Sequence, residues 1–186
     1  MKSIKSIKII MTVSLGLLVL TACQSVKSTM TKEAASPPSE LQVSIIGSSG
    51  QQIGTAHLTS VQDGVQIDLQ VSGLTPGNHG LHFHEKAVCE APNFDSAGAH
   101  FNPFKKEHGF HNPKGFHAGD LPNLIVDAQG NGKFNAITKS AVLLLDRPNS
   151  LLKQGGTSLV IHEKEDDLKT DPSGNSGKRI ACGAVK

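Results

Sequence analysis

Nine histidines in a chain of 186 residues call for explanation first, because neutral imidazole is a common metal ligand. His82 and His84 flank Phe83 in a stretch that reads as a strand. Side chains at i and i+2 share one face of a strand, so both rings can reach one ion. Alone, such a pair is weak evidence, since paired surface or core histidines are commoner than sites. Residues 86–122 say more. They carry His100, His108, His111, His117 and Asp120, and three imidazoles with one carboxylate are a donor set suited to zinc. Gly98, Gly109, Gly115 and Gly119 let a loop fold tightly around an ion. The alternative is a merely polar loop, in which so many histidines would build no core.

The elements around these residues are short. Leu41–Ile45 alternates apolar and polar, and Val65–Val71 does so strictly, as half-buried strands do. Further strands are expected at 53–58, through His82 and His84, and at 124–126, 134–137, 158–162 and 180–185. Pro76-Gly77-Asn78 reads as a turn. Residues 86–122 are too long for an idle connection, and 164–178 form a second long polar loop. No stretch after the N-terminal segment has a helical period, and there are 19 Gly and nine Pro. The expected fold is all-β: a sandwich or barrel of about eight antiparallel strands with two long functional loops.

The N-terminus reads as an address. Lys2, Lys5 and Lys8 precede an apolar run, Ile9 to Leu20, that is too short for a stable membrane span. Leu20-Thr21-Ala22-Cys23 resembles the lipobox of bacterial lipoproteins, which are cut before Cys and acylated on its thiol. The alternative is an ordinary signal peptide with a chance Cys. The expected organisation is a signal peptide over 1–22, lipidated Cys23 with a flexible polar tether over 23–39, and one domain over 40–186. The formal net charge of +2 is too small for a nucleic-acid binder. Removing the signal takes three lysines and leaves about −1. Cys89 and Cys182 remain as an even pair in an exported protein, where a disulfide is the default and two free thiols the alternative.

Five segments carry a family resemblance: Gly77-Asn78-His79-Gly80-Leu81-His82-Phe83-His84-Glu85, Ser96-Ala97-Gly98-Ala99-His100-Phe101-Asn102-Pro103, His117-Ala118-Gly119-Asp120-Leu121, His162-Glu163-Lys164, and Gly177-Lys178-Arg179-Ile180-Ala181-Cys182-Gly183. In this order they resemble the motifs of copper–zinc superoxide dismutases and span the domain from about Leu41 to Val185. The resemblance implies an immunoglobulin-like Greek-key sandwich that dismutes superoxide to oxygen and hydrogen peroxide, with copper and zinc as cofactors.

It also implies roles. His82, His84, His100 and His162 are copper ligands, and His100, His108, His117 and Asp120 zinc ligands, with His100 bridging. Asp166 links a copper-ligand ring to a zinc-ligand ring, Arg179 attracts the anionic substrate, and Cys89 pairs with Cys182. His79 matches a structural core position, while His57 and His111 match no ligand and are expected to face solvent. Lys164, Lys169 and Lys178 are candidates for steering, because the loop lacks the acidic pair common in eukaryotic members. The implied setting is the outer face of a cell membrane, extracellular or periplasmic, as a monomer or homodimer that protects the exterior. A second reading is a lipoprotein of the same fold that stores or delivers copper or zinc without turnover.

Overall fold

A computed structural model describes residues 38–186; the signal peptide, Cys23 and nearly all of the expected tether lie outside the described residues. Nine strands run in chain order: β1 Glu40–Gly47, β2 Gln52–Val61, β3 Gly64–Val71, β4 Gly77–His79, β5 Leu81–His84, β6 Leu124–Val126, β7 Gly132–Thr138, β8 Thr157–His162 and β9 Arg179–Val185. A single 3-10 turn, Asp95–Ala97, is the only helical element among the described residues. All pairings between strands are antiparallel, in the order β4-β6-β7-β3-β2-β1-β9-β8-β5. The two ends of that order, β4 and β5, are consecutive in the chain, so the sheet curls into a nearly closed barrel. Long connections bring β7 against β3 and β9 against β1, giving Greek-key topology.

Eight strands are expected from the sequence and nine form. The addition is β4, where Gly77-Asn78 reads as a turn. It pairs Gly77 with Val126 and His79 with Leu124; the partner is nearly 50 residues away, so no local pattern announces it. At Gly80 the chain leaves β6 for β8, which separates His79 from His82 and His84.

The alternation in β3 is real: Val65, Ile67, Leu69 and Val71 are buried and pack with Ile45, Leu58, Phe83 and Leu159 in the main core. β8 is buried at all six positions. Leu159 and Ile161 face the main core, while Val160 faces a smaller cluster with Phe94, Ala97 and Cys182. That cluster exists because the loop after β5 folds over the outside of β8. A Cys89–Cys182 disulfide holds it there, with Cα atoms 5.6 Å apart and 93 positions between the residues.

Cross-linking so long a loop restricts the unfolded chain, so Cys182→Ser is expected to cost about 2–5 kcal/mol. Denaturant unfolding of the oxidised protein and the variant reads this directly. A loss below about 1 kcal/mol would mean that the smaller cluster holds the loop without the bond.

Candidate metal centre

Two backbone features bring the loop to β5. The free edge of β5 is covered by loop backbone: Phe101 N donates to Phe83 O, Phe83 N to Gly119 O and Gly119 N to Phe101 O, each at 2.8 Å. This sets His84 opposite His100 and His82 opposite Asp120. Gly119 must be glycine for this approach, because a Cβ there would lie 2.4 Å from Phe83 O. Gly98 has φ +77°, and a Cβ on it would meet the Glu85 carboxylate at 2.6 Å.

Six histidines and two aspartates then share one buried cluster: His82, His84, His100, His108, His117, His162, Asp120 and Asp166. Hydrogen bonds decide which ring nitrogen each histidine offers. His84 Nδ1 donates to Gly98 O at 2.9 Å, and His162 Nδ1 donates to Gly177 O at 3.2 Å. Both therefore present Nε2, and these two atoms lie 3.4 Å apart. His82 reverses the pattern. Its Nε2 donates to Asp166 Oδ2 at 2.6 Å, leaving Nδ1 as the free lone pair.

That Nδ1 is buried without a hydrogen-bond partner, and so is Nε2 of His100. A buried polar atom left unpaired costs about 1–3 kcal/mol, and a cation beside both nitrogens removes the cost. His82, His84, His100 and His162 can each offer an atom within 4.8 Å of the others. Four imidazoles suit copper.

The other nitrogen of His100 faces a second set. His100 Nδ1, His108 Nδ1 and His117 Nδ1 lie 3.2, 3.1 and 3.2 Å from Asp120 Oδ1. His117 Nδ1 is also 3.3 Å from His100 Nδ1. Three imidazoles and a carboxylate suit zinc. His82 lies within reach of this set too, but Asp166 occupies its near nitrogen. Asp120 Oδ2 accepts from the backbone of Gly109 and His117, each at 3.0 Å, which fixes the carboxylate.

Asp166 ties the two sets together. Its Oδ1 accepts from His108 Nε2 at 3.0 Å while Oδ2 holds His82. Asn123 braces it on both sides, donating to Asp166 O and accepting from Asp166 N, each at 2.9 Å.

Protonation follows from burial and these partners. Burial lowers His84, and the neighbouring His100 adds to the effect. Burial brings His100 down to about 4 and His162 down to about 2, and it lowers His82 despite the opposing pull of Asp166. Burial also opposes charge on His108, but carboxylates at both ring nitrogens outweigh it and raise that ring to about 9. Asp120 resists burial through its three histidine partners and stays far below the usual carboxylate range.

Arg179 starts β9 opposite His162. Its Nη1 donates to Phe94 O at 2.7 Å and its Nη2 to Gly98 O at 2.6 Å. Gly98 O thus holds both the guanidinium and the His84 ring, and the positive charge of Arg179 disfavours protonation of His84 and His162.

Other residues stand apart. His79 is buried between His162 O at 2.7 Å and Thr75 O at 2.8 Å, a structural position as expected. His57 meets Glu40 at the surface, and His111 is exposed. A cleft of about 490 Å³ opens over His100 and His117. Its charged walls are Lys106, Lys153, Glu85 and Asp171, whereas Lys164, Lys169 and Lys178 do not line it. Lys178 instead borders a separate hollow beside Arg179. That Lys106 and Lys153 share this cleft is not legible in the sequence, because only the folded chain brings the loops carrying them together.

A Greek-key barrel that buries six histidines and Asp120 in two adjoining donor sets, tied together by Asp166, defines a two-metal protein. The family model for copper/zinc superoxide dismutase (SODC) matches residues 52–185, and the chain belongs to that family. It is 49% identical over 143 residues to "Superoxide dismutase [Cu-Zn] 1" of Aquifex aeolicus, covering 76% of this chain and 85% of that protein. It is 44% identical over 147 residues to "Superoxide dismutase-like protein YojM" of Bacillus subtilis, covering 77% and 74%. A crystal structure of a SOD-like protein from Bacillus subtilis superposes with a TM-score of 0.76 at 41% identity, covering 78% of this chain and 97% of that one.

Proposed function

We propose that this chain dismutes superoxide to oxygen and hydrogen peroxide. Copper would be held by His82 Nδ1, His84 Nε2, His100 Nε2 and His162 Nε2. Zinc would be held by Nδ1 of His100, His108 and His117 with Asp120 Oδ1. The observation that carries this reading is the pair of buried, unpartnered nitrogens on His82 and His100, facing two nitrogens already freed by backbone acceptors. Copper, when bound, supplies reversible one-electron chemistry that zinc cannot. The chain's own part is positional and protonic. Gly98 O, Gly177 O and Asp166 fix three rings in the needed tautomers. His100 Nε2 is the atom that can take up a proton and pass it to reduced substrate, while its Nδ1 stays with the second set. Arg179 presents fixed positive charge beside His84, where a small anion can dock.

Metal analysis with a superoxide-removal assay, before and after copper loading, tests the proposal. Activity proportional to bound copper is expected; bound copper and zinc without superoxide removal would favour storage or delivery. We place the protein outside the cell membrane, anchored through Cys23, as a monomer or homodimer. The disulfide supports export, since such bonds persist in oxidising compartments. In that setting superoxide removal protects the cell exterior.

Asp166→Asn is expected to weaken zinc, and to a smaller degree copper, by about 10–100-fold, the usual cost of losing a partner that orients a ligand. Competition with a chelator reads it, and unchanged affinities would reduce Asp166 to a packing residue.

Zinc binding should also release a proton. His108, raised to about 9, is protonated at neutral pH in the metal-free chain, and a ligating Nδ1 must lose that proton. Metal and proton compete, so apparent zinc affinity rises with pH and levels off near 9, where the ring is already neutral. Calorimetry in buffers of different ionisation heat should find about one proton released per zinc at neutral pH. The copper set should show none there, because its rings are lowered and already neutral. Zinc uptake without proton release would remove His108 from the set.

A further inference from the structure

We propose that the face around the start of the domain docks on an anionic phospholipid surface, an inference that rests on the Cys23-anchored reading above. Pro38, the first described residue, lines an open groove with Leu41, Leu145 and Leu152. The groove has a volume of about 550 Å³. Exposed large apolar side chains gather beside it. Leu144 and Leu145 are 42% and 45% exposed, although both lie in a run whose Leu143 is fully buried. Val88, 41% exposed, follows Ala87 of the groove wall. Adjacent exposed leucines on a rim mark an interaction surface rather than scattered surface hydrophobics.

The charge on this face favours an anionic partner. Lys153 and Lys186 are the charged residues that line the groove, and Arg147 follows Asp146 in the segment that carries the leucines. Apolar side chains with two lysines in the same wall are the chemistry that settles into the headgroup layer of an anionic bilayer. Chain length argues for the same occupant. Cys23 and Pro38 are 15 positions apart, so even a fully extended link holds the groove within about 50 Å of the acylated thiol. The face from which the chain leaves toward its anchor is therefore the one offered to the bilayer repeatedly, and weak affinity suffices to keep it there. Lys153 also lines the cleft over His100 and His117.

The test separates docking from anchoring. The chain from residue 23 carries Cys23→Ser, so no acyl group contributes, and residues 35–186 keep their compact unit. It is sedimented with vesicles of phosphatidylglycerol and phosphatidylcholine in equal parts, and with phosphatidylcholine alone. The anionic vesicles should bind it about tenfold better, with binding lost as salt rises. Leu144→Asn with Leu145→Asn, and separately Lys153→Glu with Lys186→Glu, should each weaken binding about tenfold. Ile125→Asn, at an exposed apolar position on β6, should not. Equal binding by all variants, or none by the parent, overturns the proposal. So does a parent that ignores vesicles yet self-associates through Leu144 and Leu145, since a second copy is then the occupant. Palmitate labelling of the full-length chain in cells reads anchoring separately, and its failure would leave the vesicle result standing.

Discussion

His100→Ala is expected to abolish superoxide removal, lowering activity per protein by at least about 100-fold, and to release zinc far more readily. The size of the effect follows from the position of the ring. His100 Nδ1 stands 3.2 Å from Asp120 Oδ1 and 3.3 Å from His117 Nδ1. Its Nε2 points the other way, buried without a hydrogen-bond partner, and the ring centroid is 4.1 Å from that of His82 and 4.9 Å from that of His84. Among the described residues His82 also reaches both groups, but Asp166 holds its Nε2, so only His100 has a nitrogen free for each. On the proposed assignment, alanine removes a ligand from both and leaves no atom to pass a proton to reduced substrate. Folding should survive, because His100 sits on the loop and outside the main core cluster. Unfolding of the metal-free variant should match that of the metal-free parent, which separates loss of metal from loss of structure. Measured together, zinc affinity, copper content and superoxide removal decide the matter. A variant that keeps both metals and full activity would remove His100 from the bridge.

Part of this cluster is legible in local pattern, while the place of His162 and the roles of the rings are expected only through the family resemblance. His82 and His84 share a face through strand periodicity alone, and the loop from 86 to 122 is conspicuous for its histidines and lack of period. What the sequence does not reveal is which nitrogen each ring offers. That depends on acceptors remote in the chain: Gly98 O for His84, Gly177 O for His162 and Asp166 for His82. The two carbonyls are backbone atoms placed by loop closure, and no residue type signals them; Asp166 is expected only through the family resemblance. β4 escapes for a related reason. Gly77 and Asn78 have the local preferences of a turn, and pairing with β6 overrides them. Surface charge shows the same limit: lysines can be counted along a chain, but only the folded chain puts Lys106 and Lys153 on one cleft and Lys178 beside Arg179.

Arg179 is the residue for which sequence alone says least and the structure most, and its substitution series carries the second large effect. A lone arginine is usually solvated. Here the guanidinium is half-buried and its two terminal nitrogens donate to Phe94 O and Gly98 O. Those bonds hold the charge in one orientation beside His84, whose Nδ1 shares the Gly98 acceptor. A fixed charge this close acts at short range on an arriving anion, whereas exposed lysines act through a field that salt screens. Arg179→Ala should therefore lower the second-order rate by about tenfold or more with both metals retained. Arg179→Lys should fall between, because an ammonium keeps the charge but cannot reproduce the planar fork across two carbonyls. Arg179→Glu should be slowest, since it repels the anion where docking is required and sets a carboxylate against two carbonyl oxygens. Stopped-flow rates at several salt concentrations, with metal content measured for each variant, give the order parent, Lys, Ala, Glu. The Ala variant should lose rate while keeping the salt dependence of the parent, because the screened part of the attraction lies with the exposed charges. An Ala variant as fast as the parent, with both metals in place, would take Arg179 out of substrate attraction and leave it only the task of holding Gly98.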